Sequence, residues 1–489
     1  MTDGLWAAQR RSLTIGLAAT ITFVAAEALA VVTVMPLVAR DLNGLSLYGF
    51  VFSAFLLGTM TGIVIAGRAA DRYGPAAPYV AGIIVFGTGL LIAGLSPSMP
   101  VLVAGRALQG LGAGAVPAVA YVAIGRSLPG NLRAQMMAVL STAWVVPGLA
   151  GPALSAEVAR VFGWRWVFLG LLPLIAVTAP LALPALVRLG RPEAPAADGH
   201  RLLDGVGVAV AAGLVLGGLT LAAGSGGQGT LAASGHRAGG LPGTGVLLAG
   251  VAMIVAGCAL GLPVLRRLLP AGTLTARRGL PAAILSRSLL TFAFFGADAF
   301  VTLTITLLRH RSPLVAGVAV TGSTLAWTAG AWVQARMSTR WEGRRLVRTG
   351  LAIVLTGIAG LILLLRSTVP VPEGAVAWTV AGFGMGLAYA PLTLLVLKEA
   401  PAGREGWAAA SLNLADVLGS ALGIGLGGAA ISAAVTARWS LAGGVAIAFA
   451  LAVAAGTTAL AISRRLPAGR TGSAPPAPAE ARLLDVTPS

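Results

Sequence analysis

Apolar residues run in long blocks along this chain, and polar residues gather in short segments between them. Each block is near the roughly 20 residues that a helix needs to cross a bilayer. Breaking the pattern at charges and at Pro/Gly clusters predicts fourteen spans. They lie near 13–37, 47–67, 77–95, 101–124, 136–159, 165–187, 205–224, 244–265, 285–308, 314–335, 348–366, 375–397, 407–433 and 440–462. In lipid a spanning segment must satisfy its own backbone, so these blocks are read as helices. The expected fold class is an all-α polytopic membrane protein. Arg10 and Arg11, then an apolar run containing Ala28-Leu29-Ala30, have the outline of a signal peptide. The run is too long for one and is taken as the first span. Residues 225–243 read as a Gly-rich external loop, and 466–489 as a Pro/Ala-rich, disordered cytoplasmic tail.

Composition supports the membrane reading. The chain has 489 residues, 57% apolar and 10% charged, whereas soluble domains carry about 25% charged residues. Its 67 Gly suit closely packed membrane helices. The net charge of +18 sits in short loops between blocks, not on one face. That distribution argues for a topology signal and contact with anionic lipid, and against nucleic acid. All but one of the 34 basic residues are Arg, the exception being Lys398. Alternate loops divide them unequally. The set on the side of the N-terminus holds roughly three times as many as the other, which predicts both termini in the cytoplasm of a cell-membrane protein. Cys258 stands alone in an apolar block and forms no intrachain disulfide.

An internal repeat emerges from spacing. The first span reads Ala26-Glu27-Ala28, then Thr33 and Arg40; the ninth reads Ala297-Asp298-Ala299, then Thr304 and Arg311. Asp71-Arg72-Tyr73-Gly74 closes the second span, and Arg340-Trp341-Glu342-Gly343 closes the tenth. Transporters are often built from such repeats. The expected division is a cytoplasmic N-terminus (1–12), a six-helix bundle (13–187), two inserted helices with their loops (188–283), a second six-helix bundle (284–462) and the tail (463–489).

Several loop and helix motifs follow in order. Residues 67–74 contain Gly67, Asp71, Arg72 and Gly74, the pieces of a tight turn between two spans. The pattern resembles the G-x-x-x-D-R-x-G loop of the major facilitator superfamily. The resemblance implies that Asp71 and Arg72 help latch a cytoplasmic gate. Pro75 and Ala76 stand where that family usually has a basic pair, whereas the second half keeps Arg344 and Arg345. Arg106, Gly110, Gly112 and Gly114 resemble the R-x-x-x-G-x-G motif of the fourth span, whose Arg is implicated in proton coupling. Gly148, Gly151 and Pro152 resemble, in part, the Gly-Pro motif of antiporters, with Ser155-Ala156 in place of its trailing Gly pair. Gly163-Trp164-Arg165-Trp166 resembles the fourteen-span drug:proton antiporter branch. The fold implied is two six-helix bundles plus two inserted helices.

Three acids lie deep within spans: Glu27, Asp298 and Asp416. Each is about ten residues, or about 15 Å, from a membrane face. A charge at that depth costs at least about 2.5–3.5 kcal/mol. Such a group persists when paired, when lining a wet cavity, or when protonated. A carboxyl that takes up a proton on one side and releases it on the other is what proton coupling requires. Glu27 and Asp298 are expected to face each other across a cavity between the halves, with Arg106 competing with the proton for Glu27. A fixed acid–Arg pair that locks helices is the alternative for Glu27, and hydrogen bonding near Asn413 is the alternative for Asp416. Arg106 snorkelling to the outer surface is a further alternative. His200, His236 and His310 all fall in loops.

No Gly-Lys-Ser/Thr phosphate loop, nucleophile elbow or metal-ligand cluster is readable, so neither an enzyme nor a cofactor is expected. A proton gradient is the expected energy source. The expected partners are a small-molecule substrate and membrane lipids, with no nucleic acid and a monomeric working unit. Gln109, Trp144 and Asn413 are candidate cavity residues, and Tyr121, Trp327, Trp332, Trp378 and Tyr389 offer stacking surface. The substrate reading is export of drug-like hydrophobic or cationic molecules. Export of a natural product or a lipid, metabolite:proton symport, and a scaffold or sensor without transport are the alternatives.

Overall fold

The computed structural model describes residues 4–7, 10–128, 145–190, 200–224, 243–338, 340–401 and 405–468, with scattered positions between 132 and 143. Among them the chain is helical and carries no strand. The helices match the predicted blocks one for one. They are α1 (Arg11–Asp41), α2 (Tyr48–Tyr73), α3 (Ala76–Gly94), α4 (Met99–Ser127), α5 (Val145–Phe162), α6 (Arg165–Arg188) and α7 (His200–Gly224). The second set is α8 (Gly243–Leu268), α9 (Leu280–Leu303), α10 (Pro313–Met337), α11 (Gly343–Leu364), α12 (Val371–Glu399), α13 (Glu405–Thr436) and α14 (Leu441–Ile462). Thirteen of these are long and apolar enough to cross a membrane. The other is α5, whose predicted first half falls largely outside the described residues. Positions 225–242 and 469–489, read as loop and tail, also lie outside them.

Two sets of six helices pack in the same way. In the first, α4 lies against α2 and α3, and α1 against α5 and α6. In the second, α12 lies against α10 and α11, and α9 against α13 and α14. The seams between the sets are reciprocal, α2 with α13 and α5 with α10. The two sets thus repeat one packing plan.

Glycine makes the packing possible. A Cβ on Gly110 would overlap the Phe55 carbonyl, and one on Gly114 the Thr59 carbonyl, both on α2. Gly112 meets α3 at Phe86. The second half repeats the string as Gly382, Gly384 and Gly386, set against Ser323, Gly350 and Trp327. Two helices whose backbones touch in this way exclude any larger side chain.

The remaining pair, α7 and α8, forms a hairpin joined through Gly218 and Gly250. It packs on α2 and on α13, across one seam. Leu216 seats against Gly425, Leu57 approaches Gly213, and the Ser411 hydroxyl donates to the Leu268 carbonyl at 3.1 Å. The α5–α10 seam has no such cover among the described residues. The α8–α9 connection docks on the end of α14, where Arg465 donates to the carbonyls of Thr275 and Ala276.

Candidate functional site

A cavity of about 600 Å³ lies between the two halves. At the end that carries the α1–α2 connection the halves are sewn together. Tyr48 donates to the Ala299 carbonyl at 2.9 Å, Ser53 to Ala421 at 2.9 Å, and Thr302 to Val32 at 2.9 Å. Gly49 and Gly428 meet backbone to backbone there, and Gly317 lies against Pro152. From the level of Asp298 the cavity runs the other way, past Val24, Ile21, Pro117 and Ala120. Its wall is mostly apolar and aromatic, with Phe52, Phe55, Phe295 and Tyr389 prominent.

The three deep acids are held differently. Glu27 is 0% exposed and forms an ion pair with Arg106, itself 2% exposed. The same guanidinium donates to Gln109 Oε1 at 2.9 Å and lies 4.2 Å from the Phe55 ring centroid. Glu27 therefore does not face the cavity; Arg106 stands at the wall in front of it. Arg106 points inward to Glu27 rather than out to the membrane surface. Among the described residues, Glu27 Oε2, Arg106 Nε and Gln109 Nε2 have no hydrogen-bond partner.

Asp416 is paired as well. Arg287 Nε donates to its Oδ1 at 2.6 Å, and the Tyr389 hydroxyl donates to its Oδ2 at 3.1 Å. Arg287 also donates to the Tyr389 carbonyl and to Thr393, and it stacks on the Tyr389 ring. Arg287 lies within α9 and is 5% exposed, although the positive-inside pattern groups it with the loops. It is thus a second buried Arg, and the pair sits behind the Tyr389 portion of the wall.

Asp298 reaches the wall itself. Its partner is neutral: Trp378 Nε1 donates to Oδ1 at 3.0 Å. No cation pairs with it among the described residues. Trp378 is fully buried and stacks on Phe294 with ring centroids 4.8 Å apart. Trp378 stands four residues before Gly382, as Arg106 stands four before Gly110. The repeat therefore puts an indole where the first half has a guanidinium. That signal was available in the spacing of the two Gly strings.

The other predicted residues divide. Gln109 is buried behind the wall and orients Arg106. Asn413 is exposed and does not line the cavity, which corrects its assignment there. The apolar pattern of α13 did not distinguish its cavity face from its others. Trp144 lies outside the described residues, and so does the Tyr121 side chain. Trp332 is 65% exposed, on the outer surface. Trp327 packs on Tyr389 with ring centroids 5.3 Å apart.

The loop motifs are also in place. Gly74 ends α2 with φ +85°, a conformation that favours Gly, and α3 starts two residues later. Asp71 and Arg72 are exposed, and Arg72 lies over the neighbouring Tyr73 ring. Gly67 meets nothing that a Cβ would touch. Gly148 faces Thr324 across the α5–α10 seam, and Gly151 approaches Leu29. Gly163 (φ +90°) turns the chain so that Trp164 and Arg165 clasp Asp41 at the end of α1.

Comparisons with known proteins agree with this architecture. The sequence profile described as Major Facilitator Superfamily matches residues 15–424. A probable multidrug-efflux transporter of Mycobacterium tuberculosis is 28% identical over 437 residues, 88% of this chain and 89% of that protein. The multidrug transporter MdtP of Bacillus subtilis is 30% identical over 183 residues, 37% of this chain and 32% of that protein. Among solved structures, an auto-inhibited POT family peptide transporter aligns over 94% of this chain and 99% of its own, with TM-score 0.64 and 16% identity. A D-xylose-proton symporter aligns over 94% and 98%, with TM-score 0.59 and 16% identity. Motifs, twofold packing and profile concur, and the chain belongs to the Major Facilitator Superfamily.

Proposed function

We propose that this transporter exports lipophilic, neutral or cationic small molecules in exchange for protons, by alternating access, from the cell membrane with both termini in the cytoplasm. One observation carries the reading: the matched acids of the two halves are treated unequally. Glu27 is neutralised by Arg106, whereas Asp298 meets the cavity beside an uncharged donor. An ion-paired carboxylate has little use for a proton. A carboxyl at an apolar wall, without a cation, gains or loses one as its surroundings change. Asp298 is therefore the proposed proton site, and Arg106–Glu27 and Arg287–Asp416 are proposed as pairs that hold their helices.

The apolar and aromatic wall suits a lipophilic substrate. The relatives in Mycobacterium and Bacillus named as multidrug transporters support export. The sewn end is the external one on the charge reading, so the cavity described here loads from the cytoplasm. Opening the α2–α13 and α5–α10 seams at that end would release substrate outward. The test is substrate-driven proton movement in proteoliposomes. Asp298→Asn should abolish it while Glu27→Gln retains part of it. Wild-type coupling in Asp298→Asn would remove the reading, and proton-driven uptake in the same direction as the proton would replace it with symport.

A further inference from the structure

Away from the central cavity, the first turns of α11 and the last turns of α14 frame a recess of about 620 Å³. Its rim carries Arg344, Arg345 and Arg348, with Glu342 as the one acid among its lining residues. Glu342 meets Arg344 at 3.5 Å, with both side chains partly exposed. An exposed pair of that kind is weak and leaves the guanidinium available. Arg345 is steadied over the Trp341 ring, 4.3 Å from its centroid. Arg348 has no acid paired with it among the described residues. The rim also lies at the N-terminus of α11, whose N-cap residue makes no side-chain cap. The positive end of a helix adds to the attraction for an anion.

Farther along the two helices, toward the middle of their spans, the recess is lined by Thr349, Ala352 and Leu460, with Ala352 exposed. It is thus cationic at its mouth and largely apolar below, where two membrane-spanning helices reach the membrane surface. The geometry points to a binding site for an anionic phospholipid. The phosphate is held by Arg344, Arg345 and Arg348, and one acyl chain runs along Ala352 and Leu460 between α11 and α14. Arg suits this task because its planar fork of donors matches phosphate oxygens. A free phosphate would use the rim and leave the apolar floor unused, so the two-part lining selects a lipid. The first half has no counterpart: α3 begins just after Pro75, with Ala76 and Ala77 in the corresponding turn. The site is an asymmetry between otherwise matching halves.

The test uses the full chain in detergent, with native mass spectrometry and thermal unfolding as readouts. Phosphatidylglycerol should remain bound and raise the unfolding temperature, whereas phosphatidylcholine should not. Each arginine changed to Gln should weaken retention about fivefold, since one basic residue near the surface contributes about 1 kcal/mol. The triple variant R344Q/R345Q/R348Q should lose the preference for phosphatidylglycerol. A triple Lys variant should keep it in part, which guards against a misfolded Gln variant. R188Q/R266Q/R267Q removes the same charge elsewhere and should leave the preference intact. Equal loss in that control would reduce the effect to bulk charge and overturn the site. Equal protection by inorganic phosphate or glycerol phosphate would overturn the lipid assignment. Unchanged phosphatidylglycerol retention in the Gln triple would overturn both.

Discussion

Trp378 holds Asp298 from the same helical position at which Arg106 holds Glu27. One half answers its deep carboxyl with a cation, the other with a neutral N–H whose nitrogen is 3.0 Å away. The two halves thus share a backbone plan and divide the chemistry.

Exchanging these partners should exchange the roles. Trp378→Arg supplies Asp298 with a guanidinium and should clamp it as Glu27 is clamped. Substrate-driven proton flux in proteoliposomes should then fall by more than about tenfold, the equivalent of about 1.4 kcal/mol. Trp378→Phe keeps the stack on Phe294 and removes only the N–H. It should leave size-exclusion behaviour intact while lowering coupled flux, since a hydrogen bond to a charged group contributes about 1.5–3 kcal/mol. Wild-type flux in both variants would show that the donor is irrelevant.

The Glu27–Arg106 pair should behave as a unit. Removing one member leaves an unpaired charge in the membrane interior, at a cost of about 3–5 kcal/mol. Glu27→Gln and Arg106→Gln should each lower the unfolding temperature sharply. The double variant should recover much of the loss. Additive losses would mean that the two groups act separately.

Much of this was legible in the sequence, and the reason is physical. Lipid tails and water differ so strongly that block length and the Arg distribution announce the helices of the fold. The matched spacings of Glu27 and Asp298 set the two halves in one register in the sequence. What the pattern hides is which face of a membrane helix looks inward, because the lipid face and the core face are both apolar. Asn413 was misplaced for that reason, and Tyr389 was recognised only as an aromatic. Arg287 was hidden by its position near the start of its block, where it reads as a loop charge. Only the fold shows that it turns to Asp416 on α13. Trp378 was visible only as stacking surface until the second Gly string was set against the first.

The glycines offer a clean contrast. Gly110→Ala drives a methyl into the Phe55 carbonyl and should destabilise by about 1–3 kcal/mol. Gly67→Ala meets nothing within 4 Å and should be neutral or slightly stabilising, since Gly weakens a helix by roughly 0.5–1 kcal/mol relative to Ala. Thermal unfolding of the two variants in the same detergent distinguishes them. Equal shifts would mean that backbone approach between α2 and α4 is not what that Gly string provides.

The sewn end should respond to its hydrogen bonds. In a Cys258→Ser background, Thr302→Cys reports access to the seam where Thr302 now bonds Val32. Adding Tyr48→Phe and Ser53→Ala should speed its labelling by a membrane-impermeant maleimide several-fold, as about 0.5–1.5 kcal/mol is lost with each bond. An unchanged rate would place the closure in the glycine contacts instead.

The α7–α8 hairpin, anchored to α2 in one half and α13 in the other, has a mechanical meaning. If the halves rock as proposed, every contact on that flank must slip or stretch, while among the described residues the opposite flank has no such tether. In the proposed alternating-access cycle the stroke would then be a swing about a braced side, not a symmetric breathing. A transporter built from twin halves acquires, through two added helices, a front and a back.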